Sequence, residues 1–298
     1  MSAAPGRPKQ ARTAARQGAG RPVSANTFAP AGLSGPGRAV WRQRTGLALL
    51  ALVAVFALLG PFLLGIDPAR QVLADSLQPP GAAQWLGTDV LGRSVLARLA
   101  HAAQLSLGLG LLAAVTAAVP GVLLGVAAAW HGGRVDRALA MLADAVMSVP
   151  GLLLVLLFAA LAPGEHWALY IGLSLSLWVE YFRVSRAASR PVLAGDAVQA
   201  SRLLGFGPAY ILRRHVLPAL APILATLLAF STAQAVLALA ALGFIGVGLR
   251  PPTPELGLMM IEFLPHYEEA PWLIAAPVTL LMLLVLGMML LADDREAP

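Results

Sequence analysis

The chain has 298 residues, 58% of them hydrophobic and only 12% charged, with 21 basic against 15 acidic side chains and no cysteine. Soluble globular domains carry about 25% charged residues, so a water-soluble enzyme domain is excluded. The missing thiols exclude disulfides, thiolate metal sites and thiol nucleophiles.

Residues 1–45 hold eight basic and no acidic side chains among Ala, Gly and Pro, which predicts a disordered basic cytoplasmic tail. An Arg-rich, acid-poor mitochondrial targeting segment is the competing reading. A signal peptide does not fit, because the first apolar run starts far from Met1 and is long enough to span. Continuous apolar runs follow at 46–66, 104–130, 138–161, 167–182, 219–249 and 271–291. They do not alternate as barrel strands do, and most match the about 20 residues that cross a hydrocarbon core of about 30 Å. The fold class expected is therefore all-α: a polytopic membrane protein with six transmembrane helices. The fourth run is short and carries Glu180 near its end.

With the N terminus inside, 17 basic residues fall on inner segments and four on outer ones. That bias fits six spans and two cytoplasmic termini. The surplus charge then serves topology and anionic membrane lipid, and implies no nucleic-acid partner. The layout expected is a tail over 1–45, a first transmembrane helix over 46–66, an extracytoplasmic loop over 67–99, a core of five further helices over 100–292, and a cytoplasmic tail over 293–298.

Between the fourth and fifth runs stands "GDAVQASRLLGFGPAYILRRHVLP", residues 195–218. Its arginines, at about 3 kcal/mol each for insertion, keep it out of the bilayer on the inner side. Asp196 reads as an N-cap with Gln199 completing a near capping box, and Gly205 as the left-handed stop of a helix over 197–204. Gly207-Pro208 opens a second helix, and Pro218 marks a break before the fifth span. A helix of two turns needs something to pack against. Two readings stand: an amphipathic element resting on headgroups or its own bundle, and a docking knob for a cytoplasmic partner.

This stretch resembles the coupling loop of ATP-binding-cassette importer permeases, with Gln199-Ala200-Ser201, Gly205 and Leu217-Pro218 at the family's spacing. Gln199 replaces the family's glutamate, Ser201 its second alanine, and His215 an isoleucine. "WLGTDVLGRSVLARL" from Trp85, "WHGGRVDRALAMLADAVMSVPGLLL" from Trp130, "RRHVLPAL" from Arg213 and "GFIGVGLRPPTPELGLMM" from Gly243 are similar, in the same order, to segments of the dipeptide, oligopeptide and nickel permeases. The resemblance covers residues 42–291. It implies a type I importer permease fold and a subunit forming half of a translocation pathway for peptides or a related solute such as nickel. It also implies a second homologous permease, two ATPase subunits, an extracytoplasmic substrate-binding protein, and a place in a bacterial or archaeal inner membrane. Asp196, Gln199, Ala200, Ser201, Gly205, Leu217 and Pro218 would form the ATPase-coupling element.

The only lysine is Lys9, so the chain has no Gly-rich phosphate loop ending in Lys-Ser/Thr. No cofactor is expected in this chain, ATP and Mg being bound by the partner ATPases, and no His, Asp and Glu set stands at metal-ligand spacing. No enzymatic activity is expected.

Asp144, Pro150 and Gln234 are candidate gate or pore residues. For Asp144 the alternative is an interhelix bond, for Gln234 a single hydrogen bond to a neighbour, and Glu180 reads as a local ion pair with Arg183 at the membrane edge. Gly121-x-x-x-Gly125 predicts close helix packing. In the outer segments Thr88, Asp89, Pro251, Pro252 and Pro254 are candidate contacts for the binding protein, simple loop closure being the alternative. "LGLMMIEFL", too short to span, predicts a re-entrant or interfacial helix. An ion-coupled secondary transporter and a non-transporting membrane scaffold are the rival classes.

Overall fold

The computed structural model describes residues 36–293. The helices are α1 (Pro36–Leu64), α2 (Val95–His131), α3 (Gly133–Met147), α4 (Gly151–Leu161), α5 (His166–Ala194), α6 (Asp196–Leu203), α7 (Pro208–Ile211), α8 (Leu217–Phe244), α9 (Leu256–Phe263) and α10 (Pro271–Asp293). Apart from one isolated bridge between Thr88 and Ser94, the described residues form no β structure. The expected tails lie outside the described residues at 1–35 and 294–298. The part of the N-terminal segment that is described, 36–45, is the start of α1 rather than irregular chain. Its Arg, Gln and Ala residues are good helix formers and extend the apolar helix backward.

Four helices are long and apolar enough to cross a membrane among the described residues: Arg44–Leu64 of α1, α2, a run over Pro208–Phe244, and Pro271–Leu291 of α10. The pair α3 and α4, bent by 69° at Ser148 to Pro150, makes a fifth if counted as one broken span. The fourth expected run, 167–182, falls on α5, whose 29 residues are long enough, but whose second half brings in Glu180 and three arginines.

The longest packed seam joins α2 to α5, and its small residues make it possible. A Cβ on Gly121 would stand 2.5 Å from that of Tyr181 and 2.6 Å from the carbonyl oxygen of Trp178; one on Gly125 would stand 2.6 Å from that of Phe182. The expected role of the pair in close helix approach is thus the observed one. Tyr181 is buried there and its hydroxyl pairs with Ser231 of α8 at 2.5 Å, tying the third helix to the seam. α1 packs on α10 through a second cluster that includes Val53, Ala57, Leu280 and Leu284. A third cluster of Val126, Leu193, Val198, Ile211, Val216 and Leu220 gathers α6, α7 and α8 around the C-terminal half of α2. The outer ends of α2, about 55 Å apart at 1.5 Å per residue, therefore carry different machinery.

Candidate functional site

At the His131 end of α2 the short helix α6 stands out from the bundle. Its N-cap is Gly195, not Asp196, and no side chain caps it. Gln199 instead donates from Nε2 to the carbonyl of Ala194 at 2.9 Å, so the near capping box of the sequence does not form. The physical reason is a one-residue shift: with Asp196 already helical, its carboxylate cannot fold back onto the first amides. The stop is as the sequence reads. Gly205 has φ +81°, Phe206 N–H donates to Ser201 O and Gly205 N–H to Arg202 O, both at 3.0 Å, the paired bonds of a Schellman end.

Pro208 starts α7 as expected, but Pro218 breaks nothing. A π turn over Leu212–Val216, in which Leu217 N–H reaches back to Leu212 O, carries the helix into α8 without a stop. Pro218 follows directly on that turn, where the regular i to i−4 ladder is already interrupted and a missing amide is tolerated.

Two departures from the motif meet each other. Ser201 Oγ lies 3.0 Å from His215 Nε2, and also donates to Ala197 O at 2.8 Å. The π turn rotates His215 onto α6, and Tyr210 meets its ring edge-on while stacking on Phe206 at 4.2 Å between centroids. On the other flank the Arg202 guanidinium lies 5.3 Å from the ring centre of Trp130, at the end of α2. Thus α6 is anchored on one face by Val198 and Ser201, both buried. Its tip is left bare: Leu203 is 89% and Leu204 75% exposed, with Phe206 beside them. Asp196, Gln199, Ala200, Leu217 and Pro218 are also exposed.

Between the α3–α4 bend, α5 and α8 lies a cavity of about 580 Å³. Pro150 and Gln234, two of the pore candidates, both line it, with Glu180, Ser176 and Arg183. Asp144, the third, is close by but directed otherwise: it accepts from Arg183 Nη2 at 2.6 Å, across from α3 to α5. This overturns the expected Glu180–Arg183 pair. Residues three apart on a helix can meet, yet the interhelix carboxylate takes the guanidinium and leaves Glu180 without an ion pair among the described residues. One turn further, Asp136 accepts from Arg186 Nη2 and Arg190 Nη2, each at 2.7 Å.

At the opposite end of α2, Thr88 and Asp89 are fully buried, so neither side chain is at a surface a binding protein could touch. Asp89 accepts from the amides of Leu91 and Arg93 at 2.9 Å, from Arg93 Nε at 2.6 Å and from Arg98 Nη1 at 2.7 Å. The same two arginines reach Glu262 on α9, at 3.3 Å and 2.6 Å. The reason for the burial is this network: a carboxylate with four donors is stable away from water. Sequence reasoning missed Arg93, Arg98 and Glu262, although the two arginines stand inside the quoted motif. Pro251 and Pro252 are exposed and Pro254 is buried.

The helix expected from "LGLMMIEFL" is α9. Its N-cap Glu255 accepts from Leu258 N–H at 2.8 Å and is itself buried. Burial pushes the Glu255 carboxyl up, and backbone amides of α9 pull it back. Gly243 and Gly257 let α8 and α9 approach, a Cβ on Gly243 meeting Leu258 N at 2.8 Å and one on Gly257 meeting Ala240 O. Among the described residues no group of three or more His, Asp and Glu side chains is placed to hold a metal ion.

The family model described as binding-protein-dependent transport system inner membrane component matches residues 121–295. The di/tripeptide transport system permease protein of Pseudomonas aeruginosa is 38% identical over 263 residues, covering 85% of this chain and 86% of that one. The nickel transport system permease protein of Escherichia coli is 31% identical over 253 residues, covering 85% and 91%. Among solved structures, a chain of the inward-facing MetNI methionine ABC transporter superposes with a TM-score of 0.51 at 20% identity, covering 63% of this chain and 90% of that one.

Proposed function

The chain belongs to the family of binding-protein-dependent transport system inner membrane components, and from that premise we propose that it imports di- or oligopeptides as one of two permease subunits. Its relatives are permeases and not ATPases, so ATP is hydrolysed by separate subunits. The complex consists of this chain, a second similar permease, two ATPases holding ATP and Mg, and an extracytoplasmic binding protein. The chain crosses the inner membrane six times, α5 included, with both termini and α6 in the cytoplasm. Peptide is preferred over nickel because relatives at 38% and 35% identity, from Pseudomonas aeruginosa and Brucella suis, carry peptide-transport names, against 31% for the nickel permease.

The observation that carries the coupling role is the bare tip of α6. Two adjacent leucines stand almost fully exposed on a helix whose other face is pinned by buried contacts. Burying a leucine is worth about 1.5–3 kcal/mol, so seating both in an ATPase cleft supplies about 3–6 kcal/mol of association. ATP-driven closure of the ATPases then pushes α6, and the buried cluster around Val198 and Val216 passes the displacement to α2 and α8. Gln199, exposed and already bonded to Ala194 O, offers the cleft an amide where the motif has a carboxylate.

The test is to co-express the four membrane and ATPase subunits, purify through a tag on this chain, and assay dipeptide uptake in proteoliposomes with the binding protein. Leu203→Asp with Leu204→Asp is expected to lose ATPase co-purification while the permease pair remains assembled. Retained ATPase with normal uptake would overturn the coupling role, and wild-type uptake of nickel but no dipeptide would overturn the peptide reading.

A further inference from the structure

Of the carboxylates the bundle holds, those at Asp89, Glu262, Asp136 and Asp144 are matched by arginines, and Glu255 by backbone amides. Glu180 has no such match among the described residues. It stands in the middle of α5, 14 residues from either end, about 21 Å along the axis each way. A carboxylate near the edge of the apolar run is costly against lipid, so it must face water or a partner charge. What it faces within this chain is the cavity of about 580 Å³ at the α3–α4 bend. That volume is in the usual range for a small-molecule site.

The other polar groups of that cavity form a pattern. Gln234 and Ser176 supply an amide and a hydroxyl, and Arg183 brings a guanidinium to the same wall, one turn along α5 from Glu180. Arg183 gives Nη2 to Asp144 and is thereby held in place, with donors to spare on a planar group that has five. Met147, Pro150 and Leu154 make the remaining wall apolar. A carboxylate and a guanidinium set one helical turn apart, in a cavity wet on one side and apolar on the other, complement a small solute carrying both an ammonium and a carboxylate group. An extended dipeptide, at about 3.5 Å per residue, is short enough to lie within a cavity of that volume.

We propose that the cavity at the α3–α4 bend is a transit subsite for zwitterionic peptides, in which Glu180 receives the ammonium end and Arg183, oriented by Asp144, the carboxylate end. The subsite rests on the peptide reading above, and it adds selection within the pathway to whatever the binding protein selects.

Because the chain has no cysteine, Ser176→Cys, on the same cavity wall one turn before Glu180, gives a single reporter in this subunit of the assembled four-subunit complex, whose other subunits are made cysteine-free, and leaves Glu180 and Arg183 in place. Water-soluble charged methanethiosulfonate reagents are expected to label it, and the dipeptide Ala-Ala, with binding protein and ATP present, to slow labelling at least threefold. In parallel, Glu180→Gln is expected to lower Ala-Ala uptake about tenfold and Glu180→Asp to restore most of it, with the ATPases still co-purifying. No labelling by either charged reagent would overturn the proposal, since the cavity would then be closed to water and to solute. Labelling that peptide does not slow, or a Gln variant that transports as well as wild type, would overturn it equally. Wild-type complex that imports no dipeptide would instead bring down the peptide reading itself, which the same uptake assay reports separately.

Discussion

At the α9 end of the bundle Arg93 and Arg98 are themselves buried against Asp89 and Glu262, whereas at the α6 end Arg183 meets Asp144 in the open and Arg186 and Arg190 meet a partly buried Asp136. The residue types are the same and the distances similar, so the difference lies in the surroundings. Breaking a buried pair strands a charge in a medium of low polarity; breaking an exposed one hands both partners to water. The buried network ties the loop before α2 to α9 as one block. The open contacts between α3 and α5 let the two helices slide at little expense, and they lie next to the end where α6 stands out.

Four substitutions test this contrast, from the largest expected effect to the smallest. Arg98 is fully buried, bonds both carboxylates, and lies 5.6 Å over the ring of Phe263. Arg98→Ala should destabilise by about 3–5 kcal/mol, read as a large loss of Tm of the purified complex in detergent; a change under 1 kcal/mol would remove the distinction between the two ends.

Glu255 sharpens the comparison, being a buried carboxylate matched by amides rather than by an arginine. Its folded pKa lies above the ordinary value, so its contribution is fully present below about pH 4.3 and is lost as pH rises through the raised value. Glu255→Gln removes that titration and keeps a cap, and it should gain on wild type by on the order of 1 kcal/mol between pH 4 and pH 8. A Tm difference that does not move with pH over that range would count against it.

Asp136 is the intermediate case, partly buried between two arginines. Asp136→Asn should cost about 1 kcal/mol, read as a lower Tm of the purified complex than wild type. The smallest effect is expected at Arg183, whose pair with Asp144 is 49% and 64% exposed: Arg183→Ala should change stability by no more than about 1 kcal/mol, so that a fall in uptake there would report on the pathway and not on folding.

Much of this was legible in the chain. The Schellman end at Gly205, the proline start at Pro208, the close α2–α5 approach at Gly121 and Gly125, and the short helix at Leu256 all depend on residues near one another in sequence and on steric rules that hold everywhere. What was not legible depended on a partner from another helix. Arg183 three residues after Glu180 looked like its partner until α3 brought Asp144 across. Thr88 and Asp89 looked available until Arg98 and Glu262 closed over Asp89. Ser201 and His215 looked like two separate departures from a pattern, and only the π turn before Pro218 joined them.

The sequence by itself determined that this is an all-helical membrane protein, where most of its helices run, that an arginine-bearing segment leaves the bilayer between two of them, and which permease family its motifs resemble. Composition and local sterics suffice for that, because hydropathy and backbone preferences act within a few residues of chain. Which charges are buried, which are open, and which one is left facing a cavity was decided only by tertiary structure. A guanidinium reaches several carboxylates with nearly equal ease, and the choice among them is made by whichever helix the packed bundle places within about 3 Å.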